Sequence, residues 1–344
     1  MAEADLAGNI LKQFEAAGAV RVEPGYLQSA DVLLDLYGEN IRARAYITHD
    51  PVHGEQMLRP DFTVPVVRRH MEARSETPRE PARYTYAGPV WRRQDYGSTK
   101  AREFWQVGYE VFDGSDPSRA DAEVFALIAS VVSGKEVPVT GDLSFLFAAI
   151  DALETSQARK DALKRHVWRP NRFERLLKRF SGEEVFACDV GDIPELGEAT
   201  HVGLRSSGEI KARLEALKIE RETEDLSQDE VAFLMSVLSV KGGATACLDG
   251  FRAIGRSFPA LQSATGNMQA RLNALNARGI DVERLSFDAS FGRASMEYYD
   301  GFVFAFGDLA SGGRYDALTR ILGEGSGIPA VGGVVRPALL EAGS

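Results

Sequence analysis

The chain has 344 residues, 44% of them hydrophobic and 26% charged, and 40 Lys+Arg against 50 Asp+Glu leave a formal net charge of −10. That is a globular composition, sized for one large domain or a domain carrying a smaller one, and its acidic balance argues against a general nucleic-acid binder. The longest apolar run (124–132, interrupted by Ser130) is too short for a bilayer, and the start is acidic without a signal-peptide pattern. Cys188 and Cys247 cannot build a disulfide framework, so a cytoplasmic, reduced protein with no membrane partner is expected.

Leu6, Ile10, Leu11 and Phe14 are spaced for one face of a first helix, with Gly18 placed to stop it. Residues 54–63 read as a strand end and a turn at Pro60, followed by a helix through Val66, Val67, His70 and Met71. The clearest β signal lies between Pro81 and Phe112: two aromatic-rich segments, 83–92 and 102–112, flank a short polar loop and predict an antiparallel hairpin. Period-2 alternation puts Phe104, Gln106, Gly108, Glu110 and Phe112 on one face of the second strand. Gln106 and Glu110 then share that face, with Gly108 between them leaving room above the sheet, as in the floor of a polar pocket.

From about 141 to 278 the period becomes helical. Leu143, Leu146, Phe147, Ile150 and Leu153 form one stripe, and Pro170 opens another segment through Phe173, Leu176, Leu177 and Phe180. Ser227 and Glu230 form a capping-box pattern. Strand signals return at 285–289 and 298–306, ahead of a glycine-rich end. The order β-rich, α-rich, β-rich predicts an α+β core of residues 1–140 and 279–344, interrupted by a mainly helical insertion at 141–278.

Local catalytic signatures are poor. His49 and His53 flank Pro51 and read as surface residues, neither cysteine has a partner at ligand spacing, and no phosphate loop or nucleophile elbow occurs, so neither a metal nor a cofactor is expected. Residues 323–327 read as a turn. Nine Lys/Arg against two acids between Arg159 and Arg179, then six acids at 183–198, read as solvated faces, or else as a docking surface for RNA or an acidic partner. The remaining constellation is distributed: Asp61 and Thr63, Arg92, Gln106 and Glu110, Tyr298 and Tyr299. A carboxylate, a hydroxyl and an amide converging above a sheet suit an amine, and an arginine opposite suits its carboxylate.

Together these segments resemble the class II aminoacyl-tRNA synthetase fold, in its histidyl branch. Leu58-Arg59-Pro60-Asp61-Phe62-Thr63 is similar to the family's L-R-P-E-x-T, and 88–92 with 102–110 is similar to its motif 2. Tyr298-Tyr299-Asp300-Gly301-Phe302 resembles its histidine-specific segment, while Gly312-Gly313-Arg314-Tyr315-Asp316 and Gly332-Gly333-Val334-Val335-Arg336 resemble G-G-R-Y-D and motif 3. The resemblance implies an antiparallel sheet flanked by helices and a histidine pocket. In that pocket Asp61, one methylene shorter than the family's glutamate, would take the α-amino group with Thr63 and Gln106. Glu110 and a tyrosine of the pair Tyr298–Tyr299 would suit the imidazole, and Arg92 would lie near the carboxylate.

Departures from the family pattern bear on catalysis. Gln94 stands at the acidic position of motif 2, and Ala294 stands where the family's catalytic arginine would fall, with Arg293 one residue early. A shift of one in an extended segment sends a side chain to the opposite face, and losing that guanidinium should remove much of the adenylation rate. Motif 3 is shortened, with Pro337 directly after Arg336, and the sequence stops soon afterwards, where a synthetase would continue into an anticodon-binding domain. An amino-acid pocket without a complete activation site resembles the regulatory subunits of ATP phosphoribosyltransferase, paralogues of histidyl-tRNA synthetase. That resemblance implies a non-catalytic dimer joined to short-form catalytic subunits in a hetero-octamer, activating them and mediating inhibition by histidine in the first step of histidine biosynthesis. The rivals are a histidyl-tRNA synthetase-like activating enzyme that swings Arg293 into place, a small-substrate ligase, and a nucleic-acid-binding paralogue using the basic run.

Overall fold

The aromatic hairpin forms as its alternation requires: β5 (Ala82–Trp91) and β6 (Glu103–Phe112) pair antiparallel from Ala82↔Phe112 to Trp91↔Glu103. The computed structural model to which they belong describes residues 3–30, 45–76, 80–184, 206–293 and 298–342. Ahead of the hairpin come α1 (Glu3–Ala16), β1 (Val20–Arg21), β2 (Leu27–Ser29), β3 (Ile47–Asp50), β4 (Gly54–Leu58) and α2 (Thr63–Glu76). Ala7, Ile10, Leu11 and Phe14 are the buried stripe of α1, and Gly18 follows it at φ +96°, a left-handed conformation that favours glycine.

After the hairpin, α3 (Pro117–Val132) leads to β7 (Val139–Asp142). The helical stretch then runs through α4 (Ser144–Asp151), α5 (Gln157–Arg165), α6 (Pro170–Phe180), α7 (Ser207–Glu222), α8 (Gln228–Leu238), α9 (Ala244–Gly255) and α10 (Gln262–Asn276), with β8 (Lys241–Gly243) between α8 and α9. The capping box at Ser227 and Glu230 is formed at the start of α8, and Ser206 with Glu209 forms another on α7. The chain closes with β9 (Ser286–Asp288), β10 (Phe302–Phe306), β11 (Ala310–Arg314), α11 (Asp316–Leu322), β12 (Ala330–Val335) and α12 (Pro337–Ala342).

Among the described residues, nine strands share one sheet in the order β1-β5-β6-β12-β11-β10-β7-β9-β8, while β2, β4 and β3 form a smaller sheet. The large sheet is antiparallel except where β1 joins β5 and β9 joins β7. Its back face carries the aromatic core. There Tyr109 meets Phe14 of α1, and Phe302, Phe304 and Phe306 surround Phe125 of α3.

One expected strand is shorter than its apolar run. Residues 298–301 stand outside β10, because Asp300 turns there: its N–H donates to the Arg314 carbonyl, and its carboxylate accepts the N–H groups of Asp316 and Ala317 at the head of α11. The expectations for Cys188 and for most of the acidic run at 183–198 lie outside the described residues.

Buried ion pairs tie the helical stretch to the sheet. Arg271 of α10 reaches Asp142 at 2.6 Å and Asp121 of α3 at 3.3 Å, and Arg314 of β11 holds the other oxygen of Asp121 at 2.7 Å. Removing the shared carboxylate leaves two desolvated guanidinium groups facing each other. Asp121→Ala should therefore destabilise the protein by roughly 3–5 kcal/mol, read from the urea midpoint, whereas an ordinary surface Asp→Ala costs well under 1 kcal/mol.

Candidate functional site

Three elements converge on one carboxylate on the front face of the sheet. Glu110, near the C-terminal end of β6, is fully buried. Its Oε1 accepts hydrogen bonds from the hydroxyls of Tyr86 on β5 (2.8 Å) and Thr63 at the start of α2 (3.1 Å). Its Oε2 accepts from Tyr315, just before α11, at 2.5 Å. Gly332 makes this possible, because a Cβ there would run into the Glu110 carboxylate. Burial pushes the Glu110 carboxyl up to about 7, with the three hydroxyl donors pulling against it and nearby Asp61 adding repulsion.

The room above Gly108 is not an open floor. Cross-strand pairing sets Gly108 opposite Tyr86, and a Cβ on Gly108 would overlap the Tyr86 ring. That ring stacks on Phe62 at 4.3 Å and 10°. Glycine here accommodates a tyrosine whose hydroxyl then reaches Glu110, which corrects the pocket-floor reading of this position.

Around the carboxylate the structure collects five of the expected residues: Asp61, Thr63, Glu110, Tyr298 and Tyr299. The two tyrosine rings meet edge-on at 4.7 Å. Burial raises both phenols, and the negative charges of Asp61 and Glu110 push the same way. The Asp61 carboxylate accepts the Val64 N–H at 3.5 Å in the first turn of α2. Gln106 lies on the same strand face, fully buried, and its amide oxygen has no hydrogen-bond partner among the described residues. A buried acceptor in that condition invites a donor from a ligand.

Arg92 stands apart from this group. Its Nε donates to the Pro60 carbonyl at 2.9 Å, and its guanidinium lies 5.4 Å from the Phe104 ring centroid. Arg336 sits over the same ring at 5.1 Å, and burial together with the Arg92 charge lowers its pKa. A cleft of about 240 Å³ next to the cluster is lined by Phe291, Tyr299, Ala305, Ser311, Val334 and Arg336. Arg293 faces elsewhere: its Nε donates to the Val167 carbonyl at 3.1 Å and its guanidinium lies 4.8 Å from the Phe173 ring centroid, both contacts belonging to the helical stretch. Ala294 lies outside the described residues.

Tyr86, Tyr315, Phe62 and Arg336 were not among the expected site residues. Tyr86 lies on the first hairpin strand, opposite Gly108, and Tyr315 and Arg336 lie in the segments similar to G-G-R-Y-D and motif 3. The basic run contains a buried structural member: Arg159 has Nε on the Glu220 carboxylate at 3.1 Å and Nη1 on the Glu224 carbonyl at 2.8 Å. Among the described residues no group of three or more His, Cys, Asp or Glu side chains could hold a metal ion, and His49 and His53 are exposed.

The family model for histidyl-tRNA synthetase matches residues 1–339. ATP phosphoribosyltransferase regulatory subunits from Mesorhizobium japonicum and Agrobacterium fabrum are 33% and 32% identical, each match covering 95% of this chain and 94% of the relative. The chain belongs to this family. Solved structures share the fold of this chain. An ATP phosphoribosyltransferase regulatory subunit/histidyl-tRNA synthetase from Bacillus halodurans aligns with a TM-score of 0.69 at 21% identity, covering 99% of this chain and 78% of that one. A histidyl-tRNA synthetase from Nostoc aligns at 0.65 and 16%, covering 99% and 70%. The α+β, class II synthetase-like reading therefore holds.

The raised Glu110 carboxyl has a measurable consequence. Between its ordinary value of 4.5 and about 7, the folded protein keeps a proton that the unfolded chain releases. Stability from this group is thus present at low pH and lost as pH rises through that window, by roughly 3 kcal/mol in all. Glu110→Gln cannot titrate. Its unfolding free energy relative to wild type should rise by about that amount between pH 5 and pH 8, followed in urea melts at both pH values.

Proposed function

We propose that this chain is a non-catalytic regulatory subunit of ATP phosphoribosyltransferase. It activates a short-form catalytic subunit in the cytoplasm and carries feedback inhibition by histidine in the first step of histidine biosynthesis. In this reading residues 141–278 are an insertion in the core of 1–140 and 279–344, and a homodimer of the chain joins catalytic subunits in a hetero-octamer.

The histidine pocket lies around Glu110. An imidazole N–H meets its carboxylate, and the α-ammonium takes the Gln106 amide oxygen together with Asp61 and Thr63. Histidine in the neighbouring cleft would keep its carboxylate on the side of Arg336 and Arg92. The observation that carries the regulatory reading over amino-acid activation is the placement of Arg293. Its Nε donates to the Val167 carbonyl and its guanidinium lies against Phe173, with Nη2 buried and unpartnered among the described residues, so its charge is directed to the helical stretch and away from a carboxyl being activated.

The deciding experiment is phosphoribosyl transfer to ATP by a short-form catalytic subunit from the same source, with and without this chain and with histidine titrated in. The expected result is activation and its reversal by histidine, each of roughly 5–150-fold, the usual span of coupling between sites. Glu110→Ala and Gln106→Ala should lose histidine binding by calorimetry. Absence of activation, with the two chains eluting separately, would sink the proposal, and histidine-dependent ATP–pyrophosphate exchange would favour a ligase instead.

A further inference from the structure

The turn joining α5 to α6 reaches the tyrosine pair from outside the sheet. Two of its residues make polar contacts here, one with Tyr299 and the other with Arg293. The Trp168 indole Nε1–H donates to the Tyr299 carbonyl at 3.1 Å, and the Val167 carbonyl accepts from Arg293 at 3.1 Å. The first is part-buried and the second buried. Val167 is fully buried, the Trp168 ring packs on Phe147 of α4 at 5.8 Å, and Arg293 rests on Phe173 of α6. The residue before α4 adds a further tie, the Leu143 N–H donating to the Gly301 carbonyl at 3.0 Å.

Tyr299 is where these ties meet the site. Its ring is buried against the Tyr298 ring and lies 6.5 Å from that of Tyr315, the hydroxyl donor to Glu110. On the other side it presses on β11, where a Cβ added to Gly313 would stand 3.0 Å from its Cδ1. The ring is therefore wedged between strand and aromatic cluster, and its backbone is held by the indole. A small displacement of the α5–α6 turn would move Tyr299 relative to Glu110, because a close-packed interior transmits displacement instead of absorbing it.

We propose that Trp168 positions Tyr299, so that the helical stretch sets the amino-acid affinity of the pocket. Trp168 is a positioning residue here, with no ligand contact of its own. The inference rests on the reading of the Glu110 site as an amino-acid pocket and adds a specific lever to it.

The test uses the full chain and histidine. Trp168→Phe keeps an aromatic ring against Phe147 but removes the donor to Tyr299, and it should weaken histidine binding by about 3- to 10-fold in calorimetry. In a second variant, Trp91→Phe with Trp105→Phe leaves Trp168 as the sole indole, and its fluorescence emission should shift as histidine saturates the site. A variant that binds like wild type overturns the inference while leaving the pocket intact. So does weakened binding with an emission that histidine does not move, since that makes Trp168 a packing residue only. A wild-type chain that binds no histidine removes the pocket reading and this inference with it.

Discussion

A fully buried carboxylate in the middle of a sheet constrains everything around Glu110. Leaving such a charge unpaired costs several kcal/mol, and each hydrogen bond to a charged group returns about 1.5–3 kcal/mol, so one donor is not enough. The protein supplies three, from β5, from the first turn of α2 and from the residue that opens α11. None of these elements can shift without exposing the charge to an unsatisfied environment. Gly332 and Gly108 belong to the same constraint, since one clears space for the carboxylate and the other for the ring of Tyr86. The front of the molecule is organised by one side chain and by the glycines that let it fit.

The polar clusters on the two faces solve the burial problem differently. On the α3 side, Asp121 is held between the guanidiniums of Arg314 and Arg271, and Asp142 takes the second nitrogen of Arg271. Guanidinium forks are fixed in geometry and always charged, which suits a joint between the sheet and α10. On the front face the donors are hydroxyls, which rotate, and the carboxyl they hold titrates near neutrality. Such a cluster can change protonation or exchange a donor when a ligand arrives, whereas the arginine joint cannot.

What the sequence disclosed, and what it concealed, follows from the range of the interactions. The hairpin was legible because alternation, aromatic density and a short polar loop are all local, and the same alternation placed Gln106 and Glu110 on one face. Gly108 was misread because an empty Cβ position does not reveal what fills it. Tyr86 became its occupant only through the register Tyr86↔Gly108. Tyr315 donates to Glu110 from 205 positions away, a distance no periodicity reaches. The apolar run from Tyr298 to Phe306 suggested a single strand, yet Asp300 in its midst caps α11, so the strand begins at Phe302. Arg159 looked like one more charge in a solvated run and is instead the buried anchor of α7.

Under the proposed function, the fate of one arginine separates a sensor from an enzyme on the same scaffold. Activation of a carboxylate needs a cation aimed at charge that develops only in the transition state, and binding energy used there is withheld from the ground state. Arg293 is aimed instead at a carbonyl and a ring of the helical stretch, where burial lowers its pKa. Retaining a guanidinium in so costly a position makes sense if it does structural work, and here it helps fasten the α5–α6 turn and α6 to the residues that follow β9. A sensor requires its ligand to bind one state of the assembly better than another, which in turn requires the pocket wall to be attached to something that can differ between states. Under that reading the attachment runs from Tyr299 to the α5–α6 turn, by way of the Trp168 indole.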